Sequence, residues 1–187
     1  MPRIQPVQIT EAGAKSRQLL ERVQKSMGMI PNLLKTMAHS AAALDGYLSL
    51  SQALSHALTP SLRERIALAV AGVNGCNYCA SAHTALGRKT GIGADELAEN
   101  LYGESSDSRT RAVLRFTRLL VEKRGWVSDE ELNDIRASGF GDPEIAEIIT
   151  IVALNLLTNY FNHVARTDID FPEVDASKGI IGTGRNA

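Results

Sequence analysis

Apolar residues recur at intervals of three and four along almost the whole chain, and no run combines strand alternation with turn signals. Between residues 41 and 58, Leu44, Tyr47, Leu48, Leu50, Leu54 and Leu58 keep helical spacing; in residues 107–123, Val113, Phe116, Leu119 and Leu120 form an apolar side. The pattern predicts helices over residues 18–27, 33–38, 41–58, 60–74, 76–90, 95–101, 107–123, 128–137 and 142–164. The punctuation agrees. Gly28 and Ile30-Pro31-Asn32 end the first helix, and Thr59-Pro60 supplies an N-cap followed by a proline where a missing N–H costs nothing. Asn74-Gly75 is a stop signal, Ser128 with Glu131 makes a capping-box pattern, and Asp142-Pro143 opens the last long helix. From Asp168 the chain turns to Pro and Gly with little periodicity, which predicts a tail (168–187) draped over the surface or over a neighbouring subunit. The expected fold class is all-α.

Two of these helices share more than their start signals. With Pro60 placed over Pro143, Glu64 falls on Glu147, Ile66 on Ile149, Tyr78 on Phe161, and Cys76 and Cys79 on Asn159 and Asn162. Either two Ala/Ile/Leu-rich helices coincide, or a helical hairpin is duplicated and its second copy lacks the chemistry.

A length of 187 residues predicts one domain with a real core. With 44% apolar and 22% charged residues the composition is that of a soluble protein, and a net charge of −1 gives no electrostatic case for nucleic acid. Residues 1–8 are mixed, with no apolar segment of a targeting signal, and the most apolar run, residues 148–157, is too short to span a bilayer and is interrupted by Thr150 and Asn155. A cytoplasmic protein without a membrane partner is the expectation. In that reducing compartment two cysteines make no framework, so Cys76-Asn77-Tyr78-Cys79 reads as catalytic or metal-binding.

The pair falls at a predicted helix start, where unpaired N–H groups and the helix dipole favour a thiolate. One thiol can attack while the other resolves the product. His83 follows Cys79 by four residues and shares its helix face, as a proton acceptor or relay would. His39, His56 and His163 have no such companion and read as structural. Alternatives stay open for the thiols. A c-type haem fails because Ala80, not histidine, follows Cys79, and no βαβ context supports a thioredoxin motif. Structural zinc would need Cys76, Cys79, His83 and a distant Glu64, and two inert buried thiols are also conceivable.

Glu64 carries two readings. Ser61-Leu62-Arg63-Glu64 is itself a capping-box pattern, but Thr59-Pro60 starts the helix earlier and puts Glu64 inside it. A straight helix would hold it about 18 Å from Cys76. Only a reversal at Asn74-Gly75 brings Glu64 into a relay, and Arg63 and Arg65 compete as partners for glutamates.

Glu64, eleven intervening residues, then Cys76-x-x-Cys79-x-x-x-His83 resembles the alkylhydroperoxidase D (AhpD) group of the carboxymuconolactone decarboxylase superfamily, in its peroxidase-related branch. Gly28-Met29-Ile30-Pro31-Asn32, Leu58-Thr59-Pro60 and residues 155–162 fit as well, so the resemblance covers roughly residues 25–172. It implies an AhpD-like bundle of packed helical hairpins, assembled as a homo-oligomer, trimer or hexamer. It further implies reduction of a hydroperoxide substrate without cofactor or metal. On this resemblance Cys79 attacks the peroxide, Cys76 closes a redox-active disulfide, His83 and Glu64 move the proton, and an external dithiol regenerates the pair. Better-studied members have a histidine just before the second cysteine, where this chain has Tyr78, a phenol of pKa near ~10 and a poor base. The resemblance therefore implies a shorter or weaker relay, with Tyr78 as an auxiliary residue. Other readings are a disulfide-exchange adaptor for a peroxiredoxin, a non-enzymatic thiol sensor, and a zinc-binding module. Lactone decarboxylation, the last, belongs to superfamily members without the cysteine pair.

Overall fold

A computed structural model describes residues 1–179; residues 180–187, the end of the expected tail, lie outside the described residues. Among the described residues there are nine α-helices and no strand. They are α1 Ala14–Met27, α2 Asn32–Met37, α3 Ala41–Ala53, α4 Pro60–Asn74, α5 Asn77–Lys89, α6 Ala94–Leu101, α7 Ser108–Glu122, α8 Asp129–Ala137 and α9 Asp142–Ala165. The sequence signals act as read. Thr59 Oγ1 accepts the Leu62 N–H at 3.2 Å, and Ser128 and Glu131 close both halves of their capping box.

The third helix is shorter than its periodicity predicts. It stops at Ala53, passes through a 3-10 turn Leu54–His56, and reaches Leu58 at φ 42°. Pro60 disfavours a helical Thr59, so the chain has to turn before it. The left-handed Leu58 is held from both sides. Its N–H donates to Glu147 at 3.2 Å, and its carbonyl and that of Ala57 accept from Arg63 Nη1 at 3.0 and 2.6 Å.

α4 lies at the centre. Every residue from Ile66 to Gly72 is buried, the mark of a helix apolar all round and packed on every side. Leu68 and Ala71 face a core with Leu19 and Leu20 of α1, Leu44 of α3 and Leu97 of α6. Ile66 and Val70 face a second core with Val113, Leu114 and Phe116 of α7 and Ile148 of α9. Each such fully buried side chain contributes about 1.5–3 kcal/mol. Gly72 lets α6 come close, since a Cβ there would lie 2.0 Å from the Leu101 carbonyl oxygen.

α9 is one continuous helix of 24 residues. Leu157-Thr158 stand where the first copy of the sequence repeat has Asn74-Gly75, so nothing turns the chain and no second hairpin forms. By length and composition α9 could cross a membrane. Here it packs on α4 and α7, with Asn155, Thr158, Asn159 and Asn162 buried against the bundle.

The tail lies over its own chain. Asp170 accepts the Asn32 N–H at 2.8 Å, acting as the N-terminal cap that Pro31 cannot be for α2. Farther on, the Val174 and Ala176 N–H groups donate to Ser81 Oγ and Asn77 Oδ1 of α5, each at 2.9 Å.

Candidate functional site

The site is made by the reversal between α4 and α5. Gly75 takes the left-handed conformation (φ 65°), the Cys76 N–H reaches back to the Ala71 carbonyl at 3.0 Å, and Cys76 becomes the N-cap of α5. α5 then runs back along α4, and His83 Nδ1 meets Glu64 Oε2 at 2.8 Å. The competing arginines are engaged elsewhere: Arg63 holds the Leu58 turn, and Arg65 pairs with Glu96 of α6. Glu64 thus joins His83 rather than the thiols themselves, and it does no capping.

Both cysteines are free thiols, 1% and 2% exposed. They hydrogen-bond each other, and their surroundings split them. The Cys79 thiol donates to Cys76, and the N–H groups of Cys79 and Tyr78 at the start of α5 add to this. Together they hold Cys76 below the usual thiol range against its burial. Cys79 is pushed well above that range by the bond to Cys76, by burial and by the Cys76 charge. Asn162 Nδ2, 3.3 Å from the Cys79 sulfur, works in the opposite direction, and the Thr158 hydroxyl lies 3.9 Å from the same atom. The two sulfurs titrate as a pair.

A pocket of about 240 Å³ reaches Cys79, His83 and Glu64 but not Cys76, which sits behind. Leu33 and Leu34 of α2, Leu86 of α5, Ile151 and Leu154 of α9 and Phe171 of the tail make its walls apolar. Tyr47 of α3 also lines it, with its phenol pushed up to about 12 by burial and by the neighbouring Cys79 and Glu64, so it remains a neutral hydrogen-bonding group.

Tyr78 is not a relay member. Its hydroxyl accepts the Leu33 N–H at 3.1 Å and donates to Asp170 Oδ1 at 2.8 Å, and its ring meets Phe171 edge-on at 5.9 Å. Burial and the Asp170 carboxylate push its pKa far above the ordinary phenol value. Tyr78 clamps α2, α5 and the tail together beside the thiols. Among the described residues, no group of three or more His, Cys, Asp or Glu side chains is gathered to hold a metal ion.

Sequence reasoning gave no role to Tyr47 or to the α9 amides. The signal was present for the latter: Asn155, Thr158, Asn159 and Asn162 stand at helical spacing on one side of an otherwise apolar helix. Asn159 Oδ1 accepts from Asn74 Nδ2 at 3.1 Å, which ties α9 to the end of α4.

The model of the carboxymuconolactone decarboxylase family matches residues 38–122, the segment that carries Glu64, Cys76, Cys79 and His83. A peroxidase-related protein with an alkylhydroperoxidase AhpD core from Ralstonia eutropha JMP134 shares 27% identity and superposes with a TM-score of 0.80, over 90% of this chain and 92% of that one. A peroxidase-related protein from Silicibacter sp. TM1040 gives 22% identity and a TM-score of 0.78 over 89% and 92%. A debrominase solved in complex with 2,3,4-tribromopyrrole has the same fold, at 17% identity and a TM-score of 0.76 over 90% and 91%. No curated protein matches the sequence. Over the segment that carries the four site residues the chain is thus similar to the carboxymuconolactone decarboxylase family, and along nine-tenths of its length it shares the fold of an AhpD core.

Proposed function

We propose that the protein is a thiol-dependent peroxidase that reduces small organic hydroperoxides. One observation carries the reading: the pocket ends on Cys79, with Cys76 hydrogen-bonded behind it and the His83–Glu64 pair on the same wall. A debrominase shares the fold, so the fold does not choose the reaction; the site has to.

The Cys79 proton passes to His83, whose imidazolium Glu64 stabilises, and the charge is left on the sulfur that faces the pocket. The Cys79 thiolate attacks the terminal peroxide oxygen and the O–O bond breaks. The sulfur keeps OH as a sulfenic acid, and the departing alkoxide takes the proton from His83. Cys76 then attacks the Cys79 sulfur, the S–S bond forms, and the expelled hydroxide takes the second thiol proton and leaves as water. One hydroperoxide and two thiols become an alcohol, water and a disulfide, which an external dithiol reduces. No resident cofactor takes part.

The burial of both sulfurs favours a small hydroperoxide over the disulfide of a folded peroxiredoxin as the direct partner of the reduced pair. We place the reaction in the cytoplasm, where thiols stay reduced. An uncharged exposed face on α9 supports assembly as a homo-oligomer. The decisive experiment is turnover of cumene hydroperoxide with dithiothreitol. Cys79→Ser is expected to abolish it, and Cys76→Ser to leave a single oxidation of Cys79 without disulfide closure. Full activity in Cys79→Ser overturns the mechanism.

A further inference from the structure

Arg63 is the single lysine or arginine among the residues lining the pocket. Its Nη1 holds the Ala57 and Leu58 carbonyls, but no carboxylate of the described residues pairs with its guanidinium. Two carboxylates of the surrounding elements have other partners: Glu64 meets His83, and Glu147 accepts the Leu58 N–H. A half-buried guanidinium beside apolar walls, with no acidic partner, suits an anion brought in by a ligand.

The placement of the two ends is read along α9. Thr158 touches the Cys79 sulfur. Glu147, eleven residues earlier, touches Leu58, whose carbonyl Arg63 grips. At ~1.5 Å per residue those levels are about 16 Å apart, and Ile151, Leu154 and Asn155 of the pocket wall fill the interval. The pocket is thus lined by the Cys79 thiol near the Thr158 level and by Arg63, which is tied to the Leu58 turn at the Glu147 level.

We infer that Arg63 selects hydroperoxides that carry a carboxylate at the far end of an apolar chain, so that the substrate class is an oxidised fatty or aromatic acid rather than a neutral alkyl hydroperoxide. The inference rests on the peroxidase reading for its reaction, but not for its binding geometry. The carboxylate docks on the arginine fork, the chain lies against Leu33, Leu34 and Leu154, and the peroxide is left at Cys79.

The test therefore has a binding arm that needs no turnover. Alkylation of Cys79 by iodoacetamide is followed by mass spectrometry in the presence of decanoate or methyl decanoate. Decanoate is expected to protect Cys79 at about tenfold lower concentration than the ester, the size of one charge-assisted hydrogen-bonded contact. Arg63→Gln is expected to erase the difference and Arg63→Lys to keep part of it. Because Arg63 also pins the Leu58 turn, the comparison of the two ligands on the unaltered protein decides: equal protection by acid and ester overturns the inference. In the second arm, a fatty-acid hydroperoxide and its methyl ester are compared as substrates, with the acid expected to have the lower KM. No turnover of either, together with selective protection by decanoate, overturns the peroxidase reading and supports the binding site.

Discussion

Two neighbouring thiols pose a problem of placement, because their surroundings favour the thiolate on Cys76 while the pocket opens on Cys79. Asn162 bears on that balance. Its amide N–H points at the Cys79 sulfur from a buried position on α9, and a donor there favours the thiolate on the side where substrate arrives. Replacing it with leucine removes the donor, so the charge retreats toward Cys76. Asn162→Leu is expected to slow Cys79 alkylation at neutral pH by about tenfold, given ~1.5–3 kcal/mol for a hydrogen bond to a charged group. The midpoint of its rate-against-pH profile should move upward. A purely structural amide would leave that midpoint in place. The spacing of Cys76, Cys79, His83 and Glu64 made these four legible in the sequence, because chemistry at one helix start and one turn beyond is a local pattern. Asn162, Thr158 and Tyr47 reach the site across the bundle, where no spacing rule connects them. The partners of Tyr78 were illegible for a related reason: its neighbours in sequence are the thiols, but its hydrogen bonds go to Leu33 and to Asp170, which sequence order puts far away.

Among the elements, α6 depends most visibly on charge. Glu96 is sealed between Arg65 of α4 and the loop before α7. Arg65 and the Ser105 hydroxyl reach one of its oxygens, while the Ser106 N–H at 3.2 Å and hydroxyl at 2.9 Å reach the other. Burial alone would raise its pKa, but these donors outweigh it and bring the carboxyl down to about 2, from 4.5 when unfolded. A depressed folded pKa gives stability that is present above 4.5 and is lost as pH falls toward 2. The span corresponds to about 3 kcal/mol. Urea unfolding of Glu96→Gln is expected to lose roughly that amount at pH 7 and to show a much flatter pH dependence between ~5 and ~2 than the unaltered protein. Equal pH profiles would remove Glu96 from this role. The helices themselves were readable because α4, α7 and α9 announce their starts with Thr59-Pro60, Asp107 and Asp142-Pro143. The end of α3 was not: its apolar spacing runs on to Leu58, and the break is imposed by Pro60 together with Arg63 and Glu147, the latter from a helix far along the chain. The repeat also misled in part, since a shared glutamate and aromatic do not make a hairpin without the Asn-Gly turn between them.

The whole molecule leaves one long helix half uncovered. α9 buries its amides against the site, while Ile149 (46% exposed), Leu157 (47%), Tyr160 (58%) and Val164 (62%) stand outward with Ala153, and no Asp, Glu, Lys or Arg lies between Ile148 and Ala165. Beside this stripe a groove is formed by Leu120 and Val121 of α7, by Arg124 and Gly125 beyond its end, and by Leu156 and Tyr160 of α9. Apolar surface of this extent marks a contact site, and a second copy would bring the same stripe and a groove to receive its aromatic side chain. Two glutamates set into the middle of this stripe would have to be desolvated in the contact, which one Arg124 at the groove's edge does not offset. The unaltered protein is therefore expected to sediment as an oligomer, and the pair Leu157→Glu and Tyr160→Glu to sediment as the 20.2 kDa monomer with unchanged helical circular dichroism. Because Glu64 of α4, Cys76 at the N-cap of α5, and Cys79 and His83 of α5 all belong to one chain, turnover per site is expected to survive this dissociation. An assembly that persists with both glutamates in place excludes the α9 face as the contact. A monomer that loses turnover shows instead that a neighbouring copy completes the pocket that Cys79 and Arg63 line.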